Sequence, residues 1–456
     1  MKNYDFVMIY EHKVRELECL CMLKLYLEKQ GYSVLLKCWR DKEIHKTKGR
    51  FCKPRIHAKV LVVYACYDNA TLRACVENCI SFEKVINLQW EQMIARNQEN
   101  GNSFRNFSGI GKEVVHISWG QKNRKRLIEQ ASISEEKVFL AGNMSLDFLR
   151  PEFSSYYKSK EQICEQYGFA PSCKICILFA NYRGADFDEE QLKKWGERFG
   201  QSRVEVQRLG KKTKQVVLEW MDKAAREFPD YAFIYRPHPG ENTKEVQEKF
   251  ADTKNVYIIS DYSSKQWIAV ADFLFSWHST VVVESFIAGK TCYSLEPFGY
   301  VTEEDNAIFE NMKGITEYKS LKDVLVGQDF DIELDREEII NVFGEYDTDE
   351  ANYVRVGRVL ETVLKESKYD ITSSKELAQI YTTRYHSIKE RIWANALVNY
   401  LYWKYMHLLS MNSHIRLKRK DVQGYYNAET AMKKDVASEE EIKSIEMRIA
   451  KIIDIQ

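Results

Sequence analysis

His238 stands between two prolines in the run Arg236-Pro237-His238-Pro239-Gly240. Proline restricts its own backbone and that of the residue before it, so this stretch is a rigid turn. An imidazole held there can donate to a phosphate oxygen, or assist a leaving group as an acid. Arg236 can pair with the same anion. A second set follows in Ser276-Trp277-His278-Ser279-Thr280, with Glu284 one helical turn beyond. Ser279 or Thr280 at a helix start caps an orphan N–H, and the remaining exposed N–H groups favour an anion. A carboxylate at Glu284 suits the two hydroxyls of a ribose. Asn181 and Arg183, in the polar loop Asn181-Tyr182-Arg183-Gly184-Ala185-Asp186, can reach the ligand from the other side. Each residue also has a plainer reading. The helix can equally be a well-capped structural one; Arg236 can serve a salt bridge, His278 a satisfied core site and Glu284 a helix surface.

Near the start of the chain, Tyr10-Glu11-His12-Lys13 ends a short apolar run. Glu11 is the acidic group placed to act as a general base on an acceptor hydroxyl, with Glu16 as runner-up. His12 either tunes that base or, with Lys13, binds the acceptor. Cys173 and Cys176 form a single C-x-x-C. A closed zinc site needs about four ligands, and no second pair follows, so the pair reads as structural. No G-x-G-x-x-G follows the first strand and no G-K-S/T loop occurs, which argues against a dinucleotide oxidoreductase or a P-loop enzyme. No metal and no cofactor are expected.

These residues need elements to hold them, and the pattern is alternating strand and helix. Phe6–Tyr10, Tyr32–Cys38, Lys59–Ala65, Lys84–Leu88, Val114–Ser118 and Lys137–Leu140 read as strands of a first sheet. A helix runs up to Lys29, and Gly31 ends it. Arg96–Lys112 reads as a long polar loop. After a linker over Pro151–Tyr167 come strands at Cys176–Ala180, Tyr231–Tyr235, Val256–Ile259, Phe273–Phe275 and Thr291–Leu295. Helices are expected at Gln215–Phe228, Ser264–Val270, Val281–Ala288 and Val354–Leu364. Alternation of this kind implies parallel sheets, whose ligands sit at the carboxyl ends of the strands. The expected domains are 1–165, 166–370 and a helical extension over 371–456.

The chain has 456 residues, with 67 basic and 67 acidic side chains. That balance offers no global attraction to nucleic acid. The basic helix Gln121–Gln130 lacks an aromatic platform and reads as a solvated face. Eleven scattered cysteines fit buried hydrophobes in a reducing cytoplasm. Neither a signal peptide nor a membrane span is expected. Within residues 380–456, Tyr385–Leu409 is rich in Trp, Tyr and Leu and stands next to the basic run His414–Lys420. That stretch either packs on the body or on a second copy, or touches the inner face of the plasma membrane as a peripheral helix.

The motifs taken in order resemble those of bacterial enzymes of surface-carbohydrate assembly: capsule Kdo transferases, sialyl- and polysialyltransferases, and CDP-glycerol glycerophosphotransferases. The resemblance rests on His238-Pro239, on Ser276, Ser279 and Thr280 at a helix start, and on Glu284 with Gly289-Lys290. It rests also on the opening Tyr10–Glu18 and on His116–Leu149. It spans residues 1 to about 365. It implies an α/β chain of GT-B architecture, two Rossmann-like domains facing a cleft, with a C-terminal helical extension outside the resemblance. It further implies a metal-independent glycosyltransferase. The donor would be a nucleotide-activated sugar, a CMP-sugar of Kdo or sialic type by preference, and the acceptor a hydroxyl of a capsule or lipopolysaccharide glycan or glycolipid. Arg236, His238, Ser276, His278, Ser279, Thr280, Glu284, Asn181 and Arg183 would bind the nucleotide and phosphate. One departure bears on the donor. The glycerol-phosphate polymerases carry the wording Ser-Asp-Tyr-Ser-Ser at their second motif, and here it stands at Ser260–Ser264, ahead of a different helix. Transfer of glycerol or ribitol phosphate from a CDP-alditol is therefore the second reading. UDP-sugar epimerisation and a non-catalytic scaffold in capsule assembly are the others.

Overall fold

The computed structural model describes residues 1–41, 56–76, 80–99, 107–182, 184–238, 241–381, 396–419, 421–423, 426, 430 and 435–453. The chain divides into two compact units. The first is Met1–Gln92, Arg105–Ser145 and Phe343–Gln456; the second is Met93–Phe104 and Leu146–Val342. The expected boundaries at 165 and 370 are linear, whereas the units interleave along the chain.

The first unit is built on a six-stranded parallel sheet of order β2-β1-β3-β4-β5-β6. Its strands are β1 Lys2–Tyr10, β2 Val34–Cys38, β3 Ile56–Val63, β4 Ile80–Asn87, β5 Val115–Ser118 and β6 Val138–Leu140. Phe6 to Tyr10 are all buried, as expected of a strand covered on both faces, where polar alternation is lost. The helix Glu18–Lys29 covers one face through Leu20, Met22, Leu23 and Leu27. On it pack two helices from the far end of the chain, Asn352–Lys365 and Glu439–Ile453. Gly357 permits the first contact, because a Cβ there would lie 2.2 Å from the Tyr26 ring. The buried Lys84 ammonium donates to the carbonyls of Val363 and Leu364, at 2.9 and 2.7 Å. It thereby caps the carboxyl end of Asn352–Lys365, where a positive charge is favoured.

The second unit is built on a five-stranded parallel sheet of order β11-β10-β7-β8-β9. Its strands are β7 Lys174–Phe179, β8 Tyr231–Arg236, β9 Val256–Ile258, β10 Phe273–Ser276 and β11 Cys292–Ser294. The first strand of the unit, β7, lies between β8 and β10, so the strand order reverses there. The core joins Leu178, Phe233, Tyr235 and Phe275 to Val217, Leu218 and Met221. Those last three lie on the helix Gln201–Glu227, which runs for 27 residues. The sequence reading begins that helix only at Gln215 and does not foresee its neighbour Glu189–Phe199. Gly200, at φ +95°, breaks the chain between the two. Likewise, Arg96–Glu99 and Gly109–Lys112 form short helical turns within the expected loop.

Helices with an exposed apolar or polar surface make up the extension: Lys375–Tyr381, Ala396–Met411, Ser413–Lys418 and Glu439–Ile453. Among the described residues no helix is long and apolar enough to cross a membrane.

Candidate functional site

Three loops leave the carboxyl ends of the adjacent strands β10, β7 and β8, and they carry residues that the sequence reading singled out. Reversal of strand order at β7 opens the crevice in which open α/β sheets hold ligands. The loop after β7 carries Asn181. Its amide Nδ2 donates to the His278 carbonyl at 2.8 Å, so the loops on the two sides of the reversal are tied together. Arg183 lies outside the described residues.

After β8 come Arg236 and His238. Arg236 is half-buried, and its Nη2 donates to the Tyr262 carbonyl at 2.7 Å. Burial pushes the guanidinium below its ordinary value, with the Glu284 charge opposing. His238 is half-buried, and its backbone N–H donates to Glu241 Oε2 at 3.3 Å. The Glu241 N–H returns a bond to the His238 carbonyl at 2.9 Å.

After β10 the residues separate into different roles. Ser276 is fully buried within the strand, and its hydroxyl lies beside the Cys292 thiol, which burial pushes up to about 12. Trp277 is buried and stacks on Tyr182 at 5.2 Å. His278 adopts φ +39°, a left-handed conformation that costs energy for a non-glycine residue. Its ring stacks on Tyr300 at 3.5 Å, between Glu296 at 3.2 Å and Asp305 at 3.4 Å. Burial works against its charge, but Asp305 and Glu296 outweigh it and raise the imidazole above its ordinary value. The His278 ring is thus committed to two carboxylates, while its carbonyl faces Asn181. Ser279 Oγ accepts from the Val281 N–H at 3.3 Å. Thr280 is the residue before the helix Val281–Ile287, and its side chain makes no capping bond.

Glu284 is met by the segment whose wording the sequence reading set apart. Ser264 Oγ donates to Glu284 Oε2 at 2.5 Å, and Lys265 Nζ lies 3.2 Å from Oε1. Tyr262 stands at φ +65°, which turns its carbonyl toward Arg236. The two serine motifs are therefore neighbours: Ser264 reaches Glu284, on the helix that Ser276–Thr280 leads into, and the Tyr262 carbonyl takes Arg236. Linear order hides this, since the helices they start are successive rather than shared.

In the first unit, Glu11, His12 and Lys13 follow the end of β1. Glu16 is fully buried, with Oε2 accepting the Glu11 N–H at 2.7 Å and Oε1 paired to Arg15 at 2.6 Å. Burial raises its carboxyl despite Arg15. Glu11 is more exposed, with Arg15 Nη2 at 3.6 Å. The two residues assigned to the acceptor meet the C-terminal segment: His12 lies 3.7 Å from Asp435, and Lys13 lies 3.0 Å from Glu441. Asp435 and burial set the His12 imidazole in opposition, and the carboxylates prevail to raise it. Among the described residues no group of three or more His, Cys, Asp or Glu is arranged to hold a metal ion.

No family model and no curated protein matches the chain. Solved structures do. The wall teichoic acid polymerase TagF aligns with 80% of this chain and 89% of its own, at 13% identity and a TM-score of 0.50. The fold is GT-B-like. A glycosyltransferase from Rickettsia africae (12% identity, 80% of this chain, 100% of that one, TM-score 0.41) is also similar. So is the UDP-GlcNAc 2-epimerase of Methanocaldococcus jannaschii (15%, 79%, 100%, 0.43). At such identities the likeness concerns fold alone. The sequence reading did not single out Lys214, Glu241, Tyr300 or Asp305, which pack against the loops of the candidate site. Glu241 bonds locally to Tyr235 and His238, whereas the Lys214, Tyr300 and Asp305 contacts span more than twenty residues and leave no local pattern.

Proposed function

We propose that the chain is a nucleotide-sugar-dependent transferase whose second unit binds the donor, by preference a CMP-sugar. One observation carries this reading: Asn181, Arg236, His238, His278 and Ser279 leave three adjacent strands at the point where strand order reverses. Arg236 and the N–H groups before Val281 suit a phosphate, and His238 is the group to donate a proton to it. Glu284, held by Ser264 and Lys265, would take the ribose hydroxyls. The charge leaving with the nucleotide would be met by these groups, without a redox step. In the first unit Glu11 would take the proton of an acceptor hydroxyl.

Calorimetric titration with CMP, CDP, UDP and GDP tests the reading, repeated with His238→Ala. A CMP preference lost by at least tenfold on mutation is the expected result. UDP or GDP preference would reject the cytidine donor. Absence of binding by a folded sample would reject the donor site. A second reading has its own support. The Ser260–Ser264 wording found in glycerol-phosphate polymerases meets Glu284 directly, which favours a CDP-alditol donor. CDP preference in the same titration would select it.

A further inference from the structure

The His238 turn has a buried ionic support behind it. Lys214 sits in the middle of the helix Gln201–Glu227 and is 1% exposed. A lysine so placed is rare unless paired. Its ammonium lies 3.3 Å from Glu241 Oε1, 3.3 Å from Glu245 Oε2 and 3.7 Å from Asp186 Oδ1. The Glu241 side chain is wholly buried, while those of Asp186 and Glu245 are 38% and 48% exposed. The Lys214–Glu241 pair is therefore the desolvated one. Tyr235, at the end of β8, donates its hydroxyl to Glu241 Oε1. The other carboxylate oxygen, Oε2, takes the His238 N–H.

We propose that Glu241 is a positioning residue for His238, with Lys214 balancing its buried charge. The pair rests on the donor-site reading for its purpose, but not for its geometry. Glu241 has one oxygen for the core, bonded to Tyr235 and paired with Lys214, and one for the turn. Fixing the first oxygen fixes the second, and with it the backbone of residue 238. Lys214 also reaches Asp186, on the loop that begins with Asn181. One cation thus braces both the loop after β7 and the loop after β8. A fold that needed only stability at this point would gain nothing from a buried ion pair over apolar packing. What the pair supplies here is a direction for Glu241.

The experiment reads the His238 imidazole itself. The protein is labelled with ¹³C-histidine, and the His238 signal is assigned by its loss in His238→Ala. Glu241→Ala and the paired variant Lys214→Met/Glu241→Gln are then compared with the parent. Glutamine still accepts the His238 N–H, and its amide can donate to the Tyr235 oxygen, so the paired variant keeps the turn without buried charge. Expected is a displaced and broadened His238 signal in Glu241→Ala, with CMP and CDP affinity down at least tenfold. Recovery of both to within about threefold of the parent is expected in the paired variant. Circular dichroism and the melting curve confirm that each variant is folded at the assay temperature. A His238 signal in Glu241→Ala that matches the parent, in position and in pH titration, would overturn the proposal even if the melting temperature falls. A paired variant that is folded but does not recover the signal would overturn it as well. If the parent binds none of the nucleotides, the donor-site reading fails. The histidine signal then decides the positioning role alone.

Discussion

Two buried histidines of this chain respond to pH in opposite senses, and their surroundings say why. His116 is fully buried. Its Nε2 donates to the Gly111 carbonyl at 2.8 Å, and its Nδ1 accepts from the Asn87 amide at 3.2 Å. Both ring nitrogens are satisfied in the neutral form, and burial pushes the group down to about 4 from 6.5. The unfolded chain therefore binds the proton first as pH falls. Stability from this group is complete above 6.5 and is lost on acidification to about 4, by roughly 3 kcal/mol. Urea unfolding at pH 7, 5.5 and 4.5 checks this, with His116→Gln expected to show a shallower loss. His278 is the reverse case. Glu296, Asp305 and the Tyr300 ring face it, and the carboxylates raise it. Its contribution is complete below about 6.5 and is lost as pH rises through its higher folded value. A melting temperature that declines with rising pH above 6.5 in the parent, but not in His278→Gln, is the expected outcome. Equal slopes would remove His278 from the account.

At the scale of the element, the helix Gln201–Glu227 carries more of the site than its composition suggests. Gly210 faces Trp277, and a Cβ there would lie 2.9 Å from the indole. Alanine would gain about 1 kcal/mol of helix propensity. Overpacking of a filled core costs about 1 to 3 kcal/mol, and Trp277 has little room because it stacks on Tyr182. The overpacking is the larger effect. Gly210→Ala should lower the melting temperature, alter tryptophan emission and weaken CMP binding through the neighbouring His278 loop. A more stable variant with parental emission would show that Trp277 moves freely. The same helix shows where sequence reading stops. Ser264–Val270 and Val281–Ile287 were legible because breakers and apolar runs bound them closely. The buried face of Gln201–Glu227 instead uses Gly210, Thr213 and Lys214. These residues break the apolar period on which detection depends. Of the two capping candidates, Ser279 takes the Val281 N–H, whereas the Thr280 backbone is already helical and its hydroxyl makes no such bond.

For the whole molecule, two α/β halves were legible because alternating strand and helix is a local signal. Membership of the halves was not. Lys84 with the carbonyls of Val363 and Leu364, and Tyr26 with Gly357, join residues hundreds of positions apart. The C-terminal end is part of this closure. The helix Glu439–Ile453 buries Ile445, Ile449, Ile452 and Ile453 and packs against Glu18–Lys29. Lys24 meets Glu446 at 2.8 Å, and the Tyr10 hydroxyl accepts the Ala437 N–H at 2.9 Å. Full burial of four isoleucines is worth about 6 to 12 kcal/mol, before the cost of ordering the segment is subtracted. A domain's net stability is only about 5 to 15 kcal/mol, so loss of even a small part of this burial is felt. A chain ended after residue 434 should therefore melt several degrees lower, at about 2 to 4 °C per kcal/mol lost. It should also expose the apolar face of Glu18–Lys29, read as increased binding of a hydrophobic dye. His12 would lose Asp435, its strongest raising partner, so its titration should move back toward the ordinary histidine value. A parental melting profile, with His12 titrating as before, would mean that the segment is appended to the first unit rather than built into it.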